Sequence, residues 1–317
     1  MTASTYPVWG WGRPEEEPGP AELEALAPAA QALLGFPLQA PERPAAPAAL
    51  PAPRVAVPSA LAAVSSAEPL DRARHGLGRS FQAGAAAVRG LAQAGLEPAT
   101  CRLLDAAEAA LTGTLAGGEA PLLLGFESAS LPVDGELAAA LEVCAGAGGR
   151  VLEEAAGADA GATWRAGFVR APYLRERLLL LGVLVETFET AVTWERLDAL
   201  VADVAAAAGA ALAQVCGAGT VTCRLTHVYP DGAAPYFTVL APARRGSELG
   251  QWAEVKAAAT EAVLAAGGTV THHHAVGRDH RPWYDRQRPE PFAAALRAAK
   301  AAVDPAGVLN PGVLLDT

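Results

Sequence analysis

Apolar residues recur at helical spacing in some stretches and in short leucine or β-branched runs in others, and this alternation predicts a mixed fold from Phe81 onward. Residues 81–94 set apolar positions three and four apart and stop at Gly95, a residue suited to a helix C-cap. Residues 100–104 and 121–126 read as strands, 135–144 as a helix and 150–152 as a short strand. A second round follows. Strand 182–188 leads to an amphipathic helix at 193–208, with Thr193 as N-cap and Arg196 three residues on, so the capping box is incomplete. Strands 219–228 and 235–240 turn at Pro230-Asp231-Gly232. Helix 246–266 stops at Gly267-Gly268, and a short strand at 269–271 delivers a run of histidines. The two rounds form a loose internal duplication. The expected fold is α+β, a single antiparallel sheet with helices on one face and the other face left for a partner.

Residues 1–80 have a different texture, with prolines recurring from Pro7 to Pro69. That spacing permits short helices, such as 21–34, joined by extended links, and it excludes an ordinary sheet. The expected division is a proline-rich helical segment, 1–80, and a compact domain, 81–317.

Composition narrows the partners. A chain of 317 residues with 51% apolar content can bury a sizeable core, although the alanine within that content packs weakly. The balance of 24 basic against 34 acidic side chains, −10 overall, argues against a nucleic-acid partner. Cys101, Cys144, Cys216 and Cys223 match neither a zinc ribbon nor a small disulfide framework, which points to reduced thiols in a cytoplasmic protein. The N-terminus lacks the basic-then-apolar pattern of a secretory signal. Apolar runs such as 204–213 fall short of the roughly 20 residues of a membrane span, so a soluble chain with no transmembrane segment is expected.

Chemistry is concentrated between Thr271 and Tyr284, where four of the six histidines, His272, His273, His274 and His280, fall within nine residues beside Arg278 and Arg281. Crowded imidazoles flanked by arginines can move protons or hold an anion. In an extended segment side chains alternate, so either His272 and His274 share a site while His273 faces away, or the reverse. No metal is expected: the run lacks the i, i+4 helical spacing, and Asp279 is the one carboxylate nearby in sequence. Arg102, Arg175 and Arg224 lie in or beside apolar segments, where a guanidinium either pairs with an acid or binds an anionic ligand. Tyr236 stands in a strand expected to flank the histidines, so its phenol either joins their site or makes one structural hydrogen bond. Gly76-Leu77-Gly78-Arg79-Ser80 lacks the strand and further glycines of a phosphate-binding loop, and no Gly-x-Ser-x-Gly elbow occurs.

The stretch Gly267-Gly268-Thr269-Val270-Thr271-His272-His273-His274-Ala275-Val276-Gly277-Arg278, followed by Asp304-Pro305-Ala306-Gly307-Val308-Leu309-Asn310-Pro311-Gly312, resembles the C-terminal signature of FAD-linked oxidases of the vanillyl-alcohol-oxidase type. Within that family the triple histidine is similar to that of the alkyldihydroxyacetonephosphate synthases. Arg102-Leu103 with Asp105, Glu186-Thr187-Phe188-Glu189-Thr190, Thr222-Cys223-Arg224-Leu225-Thr226 and Trp9-Gly10-Trp11-Gly12 carry the resemblance further.

The resemblance implies a C-terminal cap or substrate domain and FAD as cofactor. It implies either exchange of the acyl chain of an acyl-dihydroxyacetone phosphate for a fatty alcohol or oxidation of a hydroxy acid, with a small-molecule or lipid-like substrate. Tyr236 would be the proton-transfer residue, His272, His273 and His274 would line the catalytic pocket, Arg102 and Arg175 would approach the substrate, and Arg278 and Asn310 the flavin. Family members carry a flavin-binding domain between the N-terminal segment and the cap, whereas here the first segment ends near Ser80 and the cap begins at Phe81. The flavin would then come from elsewhere, a separate flavin-binding subunit or a homo-oligomer. The alternative is a cap-domain binding or scaffold protein without catalysis; a lesser one is cofactor-independent acid–base chemistry on the same histidines. The sheet face that would meet a flavin domain is expected to expose a contiguous apolar patch. The family usually has glycine where Ala275 stands, which matters if the position needs positive φ.

Overall fold

The computed structural model describes residues 28, 31–32, 35–38, 81–112, 119–128, 131–151, 175 and 177–315. Among them six strands form one sheet, and every pairing is antiparallel. The strands are β1 (Thr100–Leu104), β2 (Leu122–Gly125), β3 (Val183–Glu189), β4 (Val192–Thr193), β5 (Thr220–Val228) and β6 (Gly232–Pro242). Their order is β2-β1-β5-β6-β3, with β4 also paired to β6. The helices are α1 (Phe81–Gln93), α2 (Ala106–Leu111), α3 (Asp134–Gly146), α4 (Leu197–Cys216), α5 (Glu248–Ala265), α6 (Arg281–Gln287) and α7 (Glu290–Val303).

Period-2 alternation along the strands decides the layers. Leu103, Leu122, Phe188, Leu225, Phe237 and Val239 point to one face, where they meet Val88 and Leu91 of α1, Leu200, Val204 and Leu212 of α4, and Val255 and Val263 of α5. Phe237 is fully buried and stacks on Phe188 at a centroid distance of 5.0 Å. Such a pair adds about 0.5–1.5 kcal/mol to the area that it buries. Glu186 also faces the helices, and its buried carboxylate pairs with Lys256 and accepts a hydrogen bond from Trp252 Nε1 at 2.7 Å.

Among the described residues the opposite face is covered toward its ends. Phe36 and Leu178 pack on Val183, Val185 and Leu240, while Ala109 of α2 packs on Leu104 and Leu123. Between these clusters the strand register sets Leu104, Arg224, Tyr236 and Glu189 side by side in one row across four strands. The next row along is Thr222, Thr238 and Thr187, of which Thr187 is exposed. The expected apolar patch is therefore replaced by hydroxyl, guanidinium, phenol and carboxylate groups. Exposed large apolar side chains, such as Leu131, Leu249, Val303 and Val308, lie instead on loops and helices.

Several sequence expectations need correction. Thr193 belongs to β4 and makes no side-chain cap; a 3-10 turn, Trp194–Arg196, intervenes before α4, which runs on through its alanines to Cys216. The Trp194–Cys216 stretch is long and apolar enough, by length and composition, to cross a membrane, because alanine counts as apolar. In this fold its stripe of Leu197, Leu200, Val204, Ala208 and Leu212 is buried in the core. Neither residues 150–151 nor 269–271 form a strand. Residue 152, residues 76–80 and Trp9-Gly10-Trp11-Gly12 lie outside the described residues, as does most of 21–34, where Pro28, Gln31 and Ala32 are helical. The turn at Pro230-Asp231-Gly232 forms as expected, closed by Tyr229 N–H donating to Gly232 O at 2.8 Å. Glycine is required there because a Cβ on Gly232 would come within 2.3 Å of Val192 O in β4.

Candidate functional site

The histidine run is placed by the end of α5. A Cβ on Gly268 would lie 2.5 Å from Leu200 Cδ1 and 2.7 Å from Thr190 Oγ1, so only glycine lets the chain pass this close to the end of β3. Thr269 then locks onto that end: its N–H donates to Ala191 O and its hydroxyl accepts from Ala191 N–H, each at 2.9 Å. His272 N–H donates to Glu189 O at 3.2 Å. From the other side Gln287 of α6 accepts from Val270 N–H at 2.9 Å and donates to Gly268 O at 2.8 Å.

After His272 the backbone turns instead of extending. His273 has φ +28° and Ala275 φ +66°. The alternation expected of an extended segment therefore fails, and all three imidazoles converge on Glu189, whose side chain is fully buried. His272 Nδ1 lies 3.5 Å from Glu189 Oε1, and His273 Nδ1 and His274 Nε2 each lie 3.3 Å from Oε2. A fourth imidazole, His227 of β5, sits with Nδ1 3.0 Å from Oε1, and Thr226 Oγ1 donates to the same oxygen at 2.7 Å. The two contacts to Oε2 are close but not aligned for hydrogen bonding, so that buried oxygen has no hydrogen-bond donor.

The ring edges pack on one another. His272 Nδ1 and His273 Nδ1 are 3.1 Å apart, Tyr229 Oη meets His272 Nε2 at 2.9 Å, and Tyr236 stands edge-on to His274 at 5.5 Å between centroids. The Arg224 guanidinium lies 3.8 Å from the centre of the Tyr236 ring, on its face. Arg224 is itself held by the buried carboxylate of Glu108 on α2, which also accepts from the Thr222 hydroxyl. Partial burial pushes the His272 and His274 pKa values below the usual imidazole range; the Glu189 carboxylate opposes that shift, and the neighbouring imidazoles add to it. Near neutral pH these two rings are proton acceptors beside a carboxylate that can balance one added proton.

The structure thus gathers His272, His273, His274 and Tyr236. Arg102 is turned to main chain, donating to Cys101 O at 2.9 Å and to Thr226 O on β5, one residue from His227. Arg175 is exposed and lies three residues before Leu178, which packs beside Val183 and Val185 at the end of β3 remote from Glu189. Arg278 donates to Pro311 O at 2.9 Å, next to Asn310, and Arg281 donates to Gly312 O at 3.0 Å, so this pair of expected flavin contacts is joined through the C-terminal strap. Sequence reasoning missed Glu189, His227, Tyr229 and Glu108 as site residues. A signal existed for the first of these. Glu186 and Glu189 interrupt the apolar strand Val183–Glu189, and a buried carboxylate requires partners.

The model of the FAD linked oxidases, C-terminal domain, matches residues 78–314. The chain belongs to the FAD-linked oxidases. Within the family it is similar to the alkyldihydroxyacetonephosphate synthase of Trypanosoma brucei brucei, 31% identical over 166 residues, which is 50% of this chain and 26% of that protein. The corresponding synthase of Caenorhabditis elegans is 33% identical over 154 residues, 45% of this chain and 25% of that protein. That of Dictyostelium discoideum is 27% identical over 161 residues, 51% and 26%. The matched region spans about a quarter of the length of these relatives. A solved alkyldihydroxyacetonephosphate synthase superposes with a TM-score of 0.57 at 18% identity, covering 77% of this chain and 45% of that one. A p-cresol methylhydroxylase does so with 0.55 at 16%, covering 78% and 54%. These likenesses place the sheet and its helices in the fold of this FAD-linked oxidase domain.

The cofactor implied by the family is FAD. This face fits its ring end, a flat group with polar edges: Thr187, Thr238, Tyr236 and the histidines offer hydroxyls, a phenol and imidazoles beside one another on a face that the described residues leave open. Among the described residues no glycine-rich strand-to-helix turn is available for the pyrophosphate.

Proposed function

We propose that this FAD-linked oxidase domain forms the substrate side of an active site like that of the alkyldihydroxyacetonephosphate synthases. There an acyl-dihydroxyacetone phosphate exchanges its acyl chain for a fatty alcohol without net redox change. The reading rests above all on the four imidazoles gathered on buried Glu189 beside Tyr236 and Arg224. Bound FAD would supply an electron-accepting ring, with Thr187, Thr238 and Tyr236 facing it and Arg278 and Asn310 approaching it from the C-terminal strap. The Tyr236 phenol, with the Arg224 guanidinium packed on its face, moves the proton. His274 stands at the edge of that phenol and accepts the proton, and Glu189 balances the imidazolium that results. Arg102, which donates to Thr226 O one residue from His227, completes the substrate contacts in this reading, and Arg175, at the remote end of β3, takes no part in them. The pyrophosphate-binding half of the cofactor site is supplied from outside this domain in this reading.

The same surface without chemistry is the second reading, a binding or scaffold domain. It is favoured by the lack of a pyrophosphate cradle among the described residues. The test is turnover of an acyl-dihydroxyacetone phosphate and a labelled fatty alcohol by the purified chain at saturating free FAD. FAD-dependent ether product, reduced at least about a hundredfold in Tyr236→Phe, is the expected result. FAD-dependent oxidation of a hydroxy acid instead would overturn the exchange reaction in favour of oxidase chemistry. No turnover of either kind, despite flavin bound on the open face, would establish the scaffold reading.

A further inference from the structure

We propose that Glu189, His227, His272 and His273 bind a divalent transition-metal ion of the zinc class. One ligand atom from each residue falls within 4.8 Å of all the others. Glu189 Oε1 is 3.0 Å from His227 Nδ1 and 3.5 Å from His272 Nδ1, Glu189 Oε2 is 3.3 Å from His273 Nδ1, and the two last-named nitrogens are 3.1 Å apart. A tetrahedral zinc ion with bonds of roughly 2.0–2.1 Å sets its ligand atoms roughly 3.3–3.4 Å apart. The two separations that share Glu189 Oε1, 3.0 and 3.5 Å, and the 3.1 Å between the two histidine nitrogens lie close to that value, and the full set of four ligand atoms, within 4.8 Å of one another, needs to contract to close on the ion.

A second observation points the same way. Glu189 is fully buried, and its Oε2 is aimed into the cluster without a hydrogen-bond donor. Two Nδ1 atoms also face each other at 3.1 Å, where one proton can be shared as a hydrogen bond but a second is excluded, while a cation between them and the carboxylate serves all the lone pairs at once. Three imidazoles and one carboxylate suit zinc, copper or nickel, not the oxygen-seeking magnesium or calcium. The outer contacts are in place too. Tyr229 Oη engages His272 Nε2, which fixes the ring with Nδ1 inward, and Thr226 Oγ1 donates to Glu189 Oε1. His227 and His273 are each about half exposed, 41% and 49%, which leaves an entry path from solvent. His274 stays outside the set, turned toward Tyr236. The carboxylate that the sequence lacked near the histidine run is brought in from β3.

The experiment titrates the chelator-treated, flavin-free chain with zinc chloride by calorimetry at pH 7.5. One equivalent is expected to bind, at least about tenfold more weakly in His227→Ala and His273→Ala and within about threefold of wild type in His274→Ala. Absence of binding at tens of micromolar zinc overturns the site, and so does binding unchanged in the first two variants or lost equally in the third. If either ligand variant fails to fold by circular dichroism, cobalt(II) added to the wild-type chain decides. Intense visible bands of a four-coordinate ion support the site, and the pale spectrum of a six-coordinate one overturns it. Magnesium chloride is expected to give no heat of specific binding.

Discussion

Replacing Glu189 by glutamine keeps the shape of the side chain at the centre of the site and removes its charge. The buried Glu189 Oε1 accepts from Thr226 Oγ1 at 2.7 Å and meets Nδ1 of the half-exposed His227 at 3.0 Å. A hydrogen bond to a charged group contributes about 1.5–3 kcal/mol, and a neutral one about 0.5–1.5 kcal/mol. Two such bonds losing their charge therefore cost about 2–3 kcal/mol. In a domain of this size, roughly 2–4 °C of Tm per kcal/mol, that corresponds to a fall of about 5–10 °C. The assay is thermal unfolding followed by circular dichroism at pH 7.5 with a chelator present, so that metal binding plays no part. Glu195→Gln, at an exposed position, serves as the control and is expected to stay within about 0.5 kcal/mol of wild type. A Glu189→Gln protein as stable as that control, or more stable than wild type, would show that the desolvation of the carboxylate outweighs its contacts. The carboxylate would then not be what organises the histidines.

Ala275→Gly is expected to stabilise the chain by about 0.5–1 kcal/mol. The left-handed backbone at φ +66° costs an L-residue about 1–2 kcal/mol, and glycine returns about 0.4–1 kcal/mol to the unfolded chain; an unchanged or lower Tm would contradict this. Of the four thiols, Cys216 is expected to react first with an aromatic disulfide reagent at pH 8. Burial pushes the Cys101 thiol up to about 12, that of Cys144 to about 11, and that of Cys223 well above its ordinary value, whereas Cys216 is partly exposed. Faster labelling of any of the other three would count against the packing described. His280 is held below the usual imidazole range by burial first and then by the Lys256 ammonium, opposed by the Val276 carbonyl and by Glu186 and Asp279. A depressed folded pKa means stability that is present above about pH 6.5 and lost as pH falls through the folded value. Stability of His280→Gln should therefore fall less than that of wild type between pH 7 and pH 5, and equal slopes would refute the assignment.

The sheet was legible because alternation is a local property. Cys101, Leu103, Phe188, Leu225 and Phe237 announce one buried face, and five of the six strands follow from such runs. The two-residue β4 carries too little pattern to be seen; it exists because Gly232 lets β6 approach it closely. The site was half legible. The histidine run and Tyr236 stand out in the sequence, but their arrangement depends on the turn at His273 and Ala275, where two non-glycine residues take positive φ. Neither residue type announces that turn. Glu189 and His227 lie 83 and 45 positions before His272, and only the β3 and β5 pairings with β6 bring them to one end of the sheet. The polar character of the open face was missed for a related reason. Thr187, Arg224 and Tyr236 sit in strands whose alternate residues are strongly apolar, and mean apolarity hides the other row.

The central claim is that Tyr236, Arg224 and the histidines held by buried Glu189 form the wall that meets a flavin ring. The most direct measurement is flavin fluorescence titrated with the purified chain, comparing riboflavin with FAD. The account expects both to bind, with dissociation constants within about threefold of each other, less than about 0.7 kcal/mol, because the groups proposed to meet the flavin all face its ring. Binding of neither flavin, under conditions in which the chain is folded, would contradict it.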